Sequence, residues 1–167
     1  MAKKFLVSLA ILLLISFGLQ AQLSENFNDG YFKANPTWTG DTSSFIINKN
    51  LQLQSNSFIQ NSTFYLITPN EQCASTQWEY WMRLAFNPSS VNYVDTYLTS
   101  LSKNPNDSTN AGYFVRCGNT EDEISLYRKD SNGIITKIID GENGTLNHSN
   151  NIFKIKVTRD SIGKWNL

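Results

Sequence analysis

Three observations predict an all-β chain folded as a two-sheet antiparallel sandwich. From residue 22 onward, no window carries apolar residues at three-and-four spacing over the length of a helix. Short runs rich in β-branched and aromatic residues follow one another instead, separated by Asn, Ser, Thr, Gly and Asp. The segment Gln77 to Phe86 has two unlike faces, with Trp78, Tyr80, Met82, Leu84 and Phe86 on one side and Glu79, Trp81 and Arg83 on the other. Strand side chains alternate with period two, so the apolar set belongs to a core and the mixed set faces outward.

The chain opens with Lys3 and Lys4, then an apolar run from Phe5 to Phe17 broken by Ser8 and Ser16, and reaches Ala21. This reads as a secretory signal peptide over 1–21, cleaved near Ala21. The apolar run is shorter than the roughly 20 residues of a membrane span. No Cys follows Ala21, so a lipid anchor at that point is not indicated. The mature chain is expected to be secreted or displayed at the cell surface, with no membrane span.

Residues 22–167 then form one domain. Strands are expected near 25–28, 44–48, 51–54, 57–60, 63–67, 76–86, 92–101, 112–117, 123–129, 133–139, 152–159 and 164–167. Asn28-Asp29-Gly30 marks an early turn, Asp130-Ser131-Asn132-Gly133 joins two strands, and Asp140 to Thr145 holds two glycines in a longer loop. Asn, Asp and Gly accept the backbone conformations that tight turns demand. The strands at 77–86, 92–101 and 112–117 are expected to run as an up-down-up meander. The last run, Lys164 to Leu167, stops as soon as it begins, which suggests a sheet left unfinished by C-terminal truncation. No internal repeat or Pro/Ser linker divides the domain.

Composition narrows the function. Without residues 1–21 the chain keeps 146 residues with 12 basic and 14 acidic side chains, and its Lys and Arg are scattered. A phosphate backbone needs concentrated positive charge, so nucleic acid is not an expected partner. A chain of this size buries roughly 70% of the surface its unfolded form exposes, enough for a core without staples. In the expected meander Cys73 and Cys117 lie at opposite ends, beyond the roughly 7 Å that a disulfide spans between Cα atoms, so two unpaired thiols are expected.

Several segments together carry a resemblance. They include Phe27-Asn28-Asp29-Gly30, Asn35 to Asp41, Phe45 to Asn48 and Leu51 to Leu53. Further along come Trp78 to Trp81, Asn87 to Asn92, Gly112 to Phe114, Ser125 to Arg128, Val157 to Asp160 and Gly163 to Leu167. In these the chain resembles the opening of a group of exported bacterial multidomain proteins that carry lamin-tail domains. The resemblance implies a concanavalin A-like, laminin G-like jelly roll, further strands after Leu167, and covalently linked downstream domains. It transfers no catalytic or binding residue.

Candidate chemistry is sparse. The related fold also hosts glucanases, and Glu121, Asp122 and Glu123 form the one dense acidic cluster, with Glu121 and Glu123 on one face. No third acid follows at the required spacing, and the cluster reads as a solvated turn where a loop enters a strand. His148 is the only histidine and reads as a surface residue, so neither a zinc site nor a hydrolytic triad is expected. No cofactor is required. Calcium takes oxygen ligands, and Asp29 and Asp41 are its candidates, although such turns are usually only turns. The sequons at Asn61, Asn106, Asn143 and Asn147 mark loops and are read as incidental in a bacterial protein.

The outward residues of the 77–86 strand remain. Trp81 suits stacking on the apolar face of a sugar ring, with Glu79 and Arg83 bonding to hydroxyls. The competing reading is that a crossing loop covers Trp81 while Glu79 and Arg83 pair with neighbouring strands, the commoner fate of large aromatics. The function expected is a non-catalytic, lectin-like module binding polysaccharide or another cell-surface glycan. A glycoside hydrolase on the same fold and a structural or adhesion spacer are the alternatives.

Overall fold

A computed structural model describes residues 22–167, and the segment read as a signal peptide, with its cleavage point at Ala21, lies outside them. Eleven strands follow in chain order. They are β1 (Thr39–Gly40), β2 (Phe45–Ile47), β3 (Leu53–Ser55), β4 (Leu66–Ile67), β5 (Thr76–Leu84), β6 (Val94–Ser100), β7 (Gly112–Gly118), β8 (Glu123–Lys129), β9 (Ile135–Ile139), β10 (Asn151–Arg159) and β11 (Trp165–Asn166). Among the described residues the only helix is a single 3-10 turn at Thr42–Ser44. None is long and apolar enough to cross a membrane.

All the strand pairs are antiparallel. β6-β7-β8-β9 forms a four-stranded sheet, β11-β10-β5 a three-stranded one, and β1-β4 and β2-β3 are two short ribbons. The two larger sheets share one core. Leu84, Ile155 and Val157 enter it from the three-stranded sheet, Leu98, Val115, Cys117 and Leu126 from the four-stranded sheet, and Leu146 from the loop before β10. Each such aliphatic side chain contributes roughly 1.5–3 kcal/mol by leaving water. Trp165 stacks on Trp78 at 5.5 Å and meets Tyr113 at 4.7 Å, so one ring touches both sheets.

Two hairpins are closed by the same local chemistry. After β8, the Asp130 side chain accepts hydrogen bonds from the amides of Asn132 (2.9 Å) and Ile134 (3.0 Å), and Gly133 sits at φ +82°. After β10, Asp160 does the same for Ile162 (3.0 Å) and Lys164 (2.8 Å), with Gly163 at φ +88°. Each aspartate thereby satisfies turn amides that no strand reaches, and each glycine takes a conformation that a Cβ disfavours.

The expected 77–86, 92–101, 112–117 meander does not form. β5 pairs instead with β10, in nine consecutive pairs from Leu84↔Asn151 to Thr76↔Arg159, while β6 begins the other sheet. The connection between β5 and β6 carries Pro88 and closes its own small bridge between Ser89 and Asn92. It is long enough to cross from one sheet to the other, and the crossing lets the apolar faces of β5 and β7 meet across the core.

The region before β5 also departs from expectation. No strand forms at residues 25–28; the chain passes from Phe27, at φ +58°, straight into the turn expected at Asn28-Asp29-Gly30, closed by the Gly30 amide on the Phe27 carbonyl at 3.0 Å. Residues 57–60 pair with no strand, leaving Phe58 and Ile59 91% and 73% exposed. The expected strands at 51–54 and 63–67 shrink to β3 and β4. β propensity alone does not hold a strand that lacks a partner and a face to bury.

Candidate functional site

The outer face of the three-stranded sheet gathers Glu79, Trp81 and Arg83 as alternation requires, since β5 buries its even-numbered residues and exposes its odd ones. The register sets Lys156 opposite Glu79, Lys154 opposite Trp81 and Ile152 opposite Arg83. Trp81 is 48% exposed, so no loop covers it. Glu79 is ion-paired with Lys154, and that ammonium holds its carboxyl below the usual range. Arg83 donates from Nε to Asn150 Oδ1 at 2.8 Å. The two competing expectations for this strand are therefore each met in part: the charged residues are paired with neighbours, and the indole is open.

The result is a flat surface with an apolar ring at its centre and donors and acceptors around it. Lys154, Lys156, Ile152 and Asn150 were missed by sequence reasoning because their partnership with β5 spans some seventy residues of chain. The alternation of Ile152, Lys154, Lys156 and Thr158 was the available signal, and it identified a strand without naming its neighbour.

The four-stranded sheet carries another polar arrangement on its own outer face. Lys137 Nζ lies 2.7 Å from Glu121 Oε2, 2.6 Å from Glu123 Oε1 and 2.6 Å from Asp140 Oδ1. Glu123 is 1% exposed and corrects the expectation of a solvated turn at that position, while Glu121 and Asp122 do lie in the turn that leads into β8. Glu123 opens β8 on that outer face, where it is covered by the loop from Asp140 to Leu146, whose backbone bonds back to Glu121 and Asp122. Ser125 Oγ donates to Glu123 Oε1 at 2.7 Å and accepts from the Gly141 amide at 2.8 Å. A Cβ on Gly141 would lie 2.2 Å from the Ile124 carbonyl oxygen, so only glycine lets the loop approach β8 this closely.

These three carboxylates are the one group of acidic ligand atoms gathered closely enough for a metal among the described residues. Lys137 occupies the centre of that group. The hydrogen bonds that Lys137 donates to Asp140, Glu121 and Glu123 hold its ammonium protonated far above the usual lysine range, and Lys137 in turn holds the Asp140 carboxyl low. A general acid needs the opposite shift, upward toward neutrality. The arrangement is that of a partly buried ion network. Beside it Asp95 and Arg116 form a bidentate pair at 2.8 Å, with the guanidinium 4.1 Å from the Tyr93 ring.

The remaining candidates are dispersed. Asp29 is exposed and accepts from the Tyr31 amide at 2.9 Å, which shapes its own turn, whereas Asp41 accepts from the Tyr65 amide at 3.0 Å and ties the end of β1 to the segment before β4. His148 is exposed, and its carbonyl accepts from Asn151 Nδ2 at 2.6 Å. Asn61, Asn106, Asn143 and Asn147 all lie on exposed loops.

Both cysteines are free thiols, Cys73 exposed and Cys117 buried. The meander from which their separation was argued does not exist, and what separates them is that Cys117 points into the core from β7. Burial, aided by the Asp95 charge, pushes the Cys117 thiol up to about 12. Because the thiolate is the reactive form, a thiol reagent at about pH 8 is expected to label one cysteine per native chain, Cys73, and both in denaturant. Rapid labelling of two in the native protein would contradict the burial of Cys117.

Fold and surface together define an all-β protein of antiparallel sheets packed as a sandwich, with one open, aromatic-centred sheet face. No protein-family model, curated protein or solved structure matches the chain.

Proposed function

We propose that this chain is a non-catalytic, lectin-like module of an exported protein, built on a concanavalin A-like jelly roll, and that it binds polysaccharide on the outer face of β5 and β10. The half-exposed Trp81 carries the reading. An indole left open on a rigid sheet keeps apolar surface in water, and stacking on a sugar ring removes it. Glu79, Lys154, Arg83 and Asn150 supply acceptors and donors on the same face, on the positions that flank Trp81 along β5 and beside it on and next to β10. Sites on regular strands hold such a set more firmly than loops do.

The test is affinity for a panel of neutral and acidic polysaccharides, measured by affinity electrophoresis or calorimetry. Trp81→Ala is expected to weaken binding by about 2 kcal/mol, roughly 30-fold, as for a central aromatic contact. Fold integrity is checked by near-ultraviolet circular dichroism. Failure of every polysaccharide to bind the unmodified protein, or equal binding by Trp81→Ala, would overturn the proposal.

A further inference from the structure

β5 is the outermost strand of its sheet. It pairs with β10 along one side, in unbroken register over nine residues, and with no described strand along the other. It contains no proline, and no bulge interrupts its register. An edge this long and regular presents a row of free amides and carbonyls, which proteins normally protect or use.

The sequence of β5 is complementary to itself. When two copies lie antiparallel about a two-fold axis at Trp81, residue numbers across the new ladder sum to a constant. Glu79 then faces Arg83 of the other copy, Arg83 faces its Glu79, and the two Trp81 rings meet at the axis. On the inner face Trp78 faces Leu84 and Tyr80 faces Met82. Moving the axis by one residue either way sets Glu79 opposite Trp81 or Ala85 and breaks both charge pairs. Opposite charges and aromatic pairs directly across a ladder each favour pairing, and a symmetric contact counts every one twice.

We infer that the free edge of β5 is a homodimer interface, joining two three-stranded sheets into one six-stranded sheet across a two-fold axis at Trp81. Glu79 keeps Lys154 on Oε1 and accepts only a long bond from Gln77 Nε2 on Oε2, at 3.5 Å, and Arg83 meets Asn150 through Nε, so the Glu79 Oε2 and the terminal nitrogens of Arg83 can still serve the other copy. The dimer would set two indoles side by side on a single outer face. The inference does not depend on glycan binding, because its readout is mass.

Sedimentation equilibrium of the full-length protein tests it. The unmodified chain is expected to have twice the monomer mass. Arg83→Glu, which leaves the Glu79–Lys154 pair intact, puts two like-charge contacts at the axis and is expected to weaken association roughly tenfold. Glu79→Arg is expected to do the same. The double variant Glu79→Arg/Arg83→Glu restores opposite charges and is expected to recover dimerisation to within a few-fold of the unmodified protein. A monomer at about 100 μM, well above the dissociation constants of stable dimers, would overturn the inference. So would a dimer insensitive to either single variant, or a double variant as weak as the singles.

Discussion

Replacing Lys137 with methionine is expected to cost about 3 kcal/mol of folding stability, the lower part of the range for removing one partner of a buried ion pair. The ammonium touches Glu121, Glu123 and Asp140, and Glu123 is the one that matters most because it is 1% exposed. Without Lys137, that carboxylate keeps only the Ser125 hydroxyl at 2.7 Å, and its Oε2 has no hydrogen-bond partner. Equilibrium urea denaturation of both proteins reads the difference. Adding Glu123→Gln to the Lys137→Met variant is expected to return much of the loss, since an amide needs no counter-charge. A cost below about 1 kcal/mol, the level of an ordinary surface pair, would show that the network is not buried in any energetic sense.

The same network predicts the direction of an acid effect. Lys137 holds Asp140 below its usual pKa, so the folded chain binds fewer protons there than the unfolded chain. That contribution is present above the unfolded value, near 4, and is lost as pH falls through the folded one. The Lys137→Met variant should therefore lose less stability on acidification than the unmodified protein.

Phe114→Ala is expected to cost about 3–5 kcal/mol, as for a large aromatic removed from a core. Strand alternation puts Phe114 on the outer face of the four-stranded sheet, between Tyr97 on β6 and Tyr127 on β8. Its ring is nevertheless 0% exposed, stacked at 4.9 Å on Tyr97 and 5.4 Å on Tyr127, with the Arg116 guanidinium 5.4 Å from its centroid. This face thus has a small aromatic core of its own, separate from the one between the sheets. Phe114→Leu keeps much of the volume and should lose clearly less. A loss for Phe114→Ala under about 1 kcal/mol, typical of a surface site, would mean that the aromatic row contributes little to stability.

What could be read from the sequence follows the range of the interactions involved. The two faces of β5 were legible because alternation is a local property, and Trp78, Tyr80, Met82 and Leu84 mark the buried side without reference to any partner. The β8–β9 turn was legible because Asp130 and Gly133 act within four residues. Pairing of β5 with β10 was not, since the choice depends on which apolar face meets which across the core. The acidic network escaped for the same reason. Glu121 and Glu123 resemble a turn until β9 brings Lys137 alongside and Gly141 lets the following loop close over β8. Phe58 and Ile59 show the reverse error: a run with strand-forming residues stays irregular where no neighbouring strand receives it.

Trp81 carries the proposed function, and it differs from Trp38, Trp78 and Trp165 in lying at the centre of an open sheet face. Indole resonances of the 15N-labelled protein, followed during titration with the polysaccharide fragments that bind best, separate the four rings directly. The Trp81 signal is expected to shift and saturate while those of Trp78 and Trp165, stacked on one another inside the fold, stay in place. Saturable binding that leaves the Trp81 indole unmoved would contradict a sugar platform on β5.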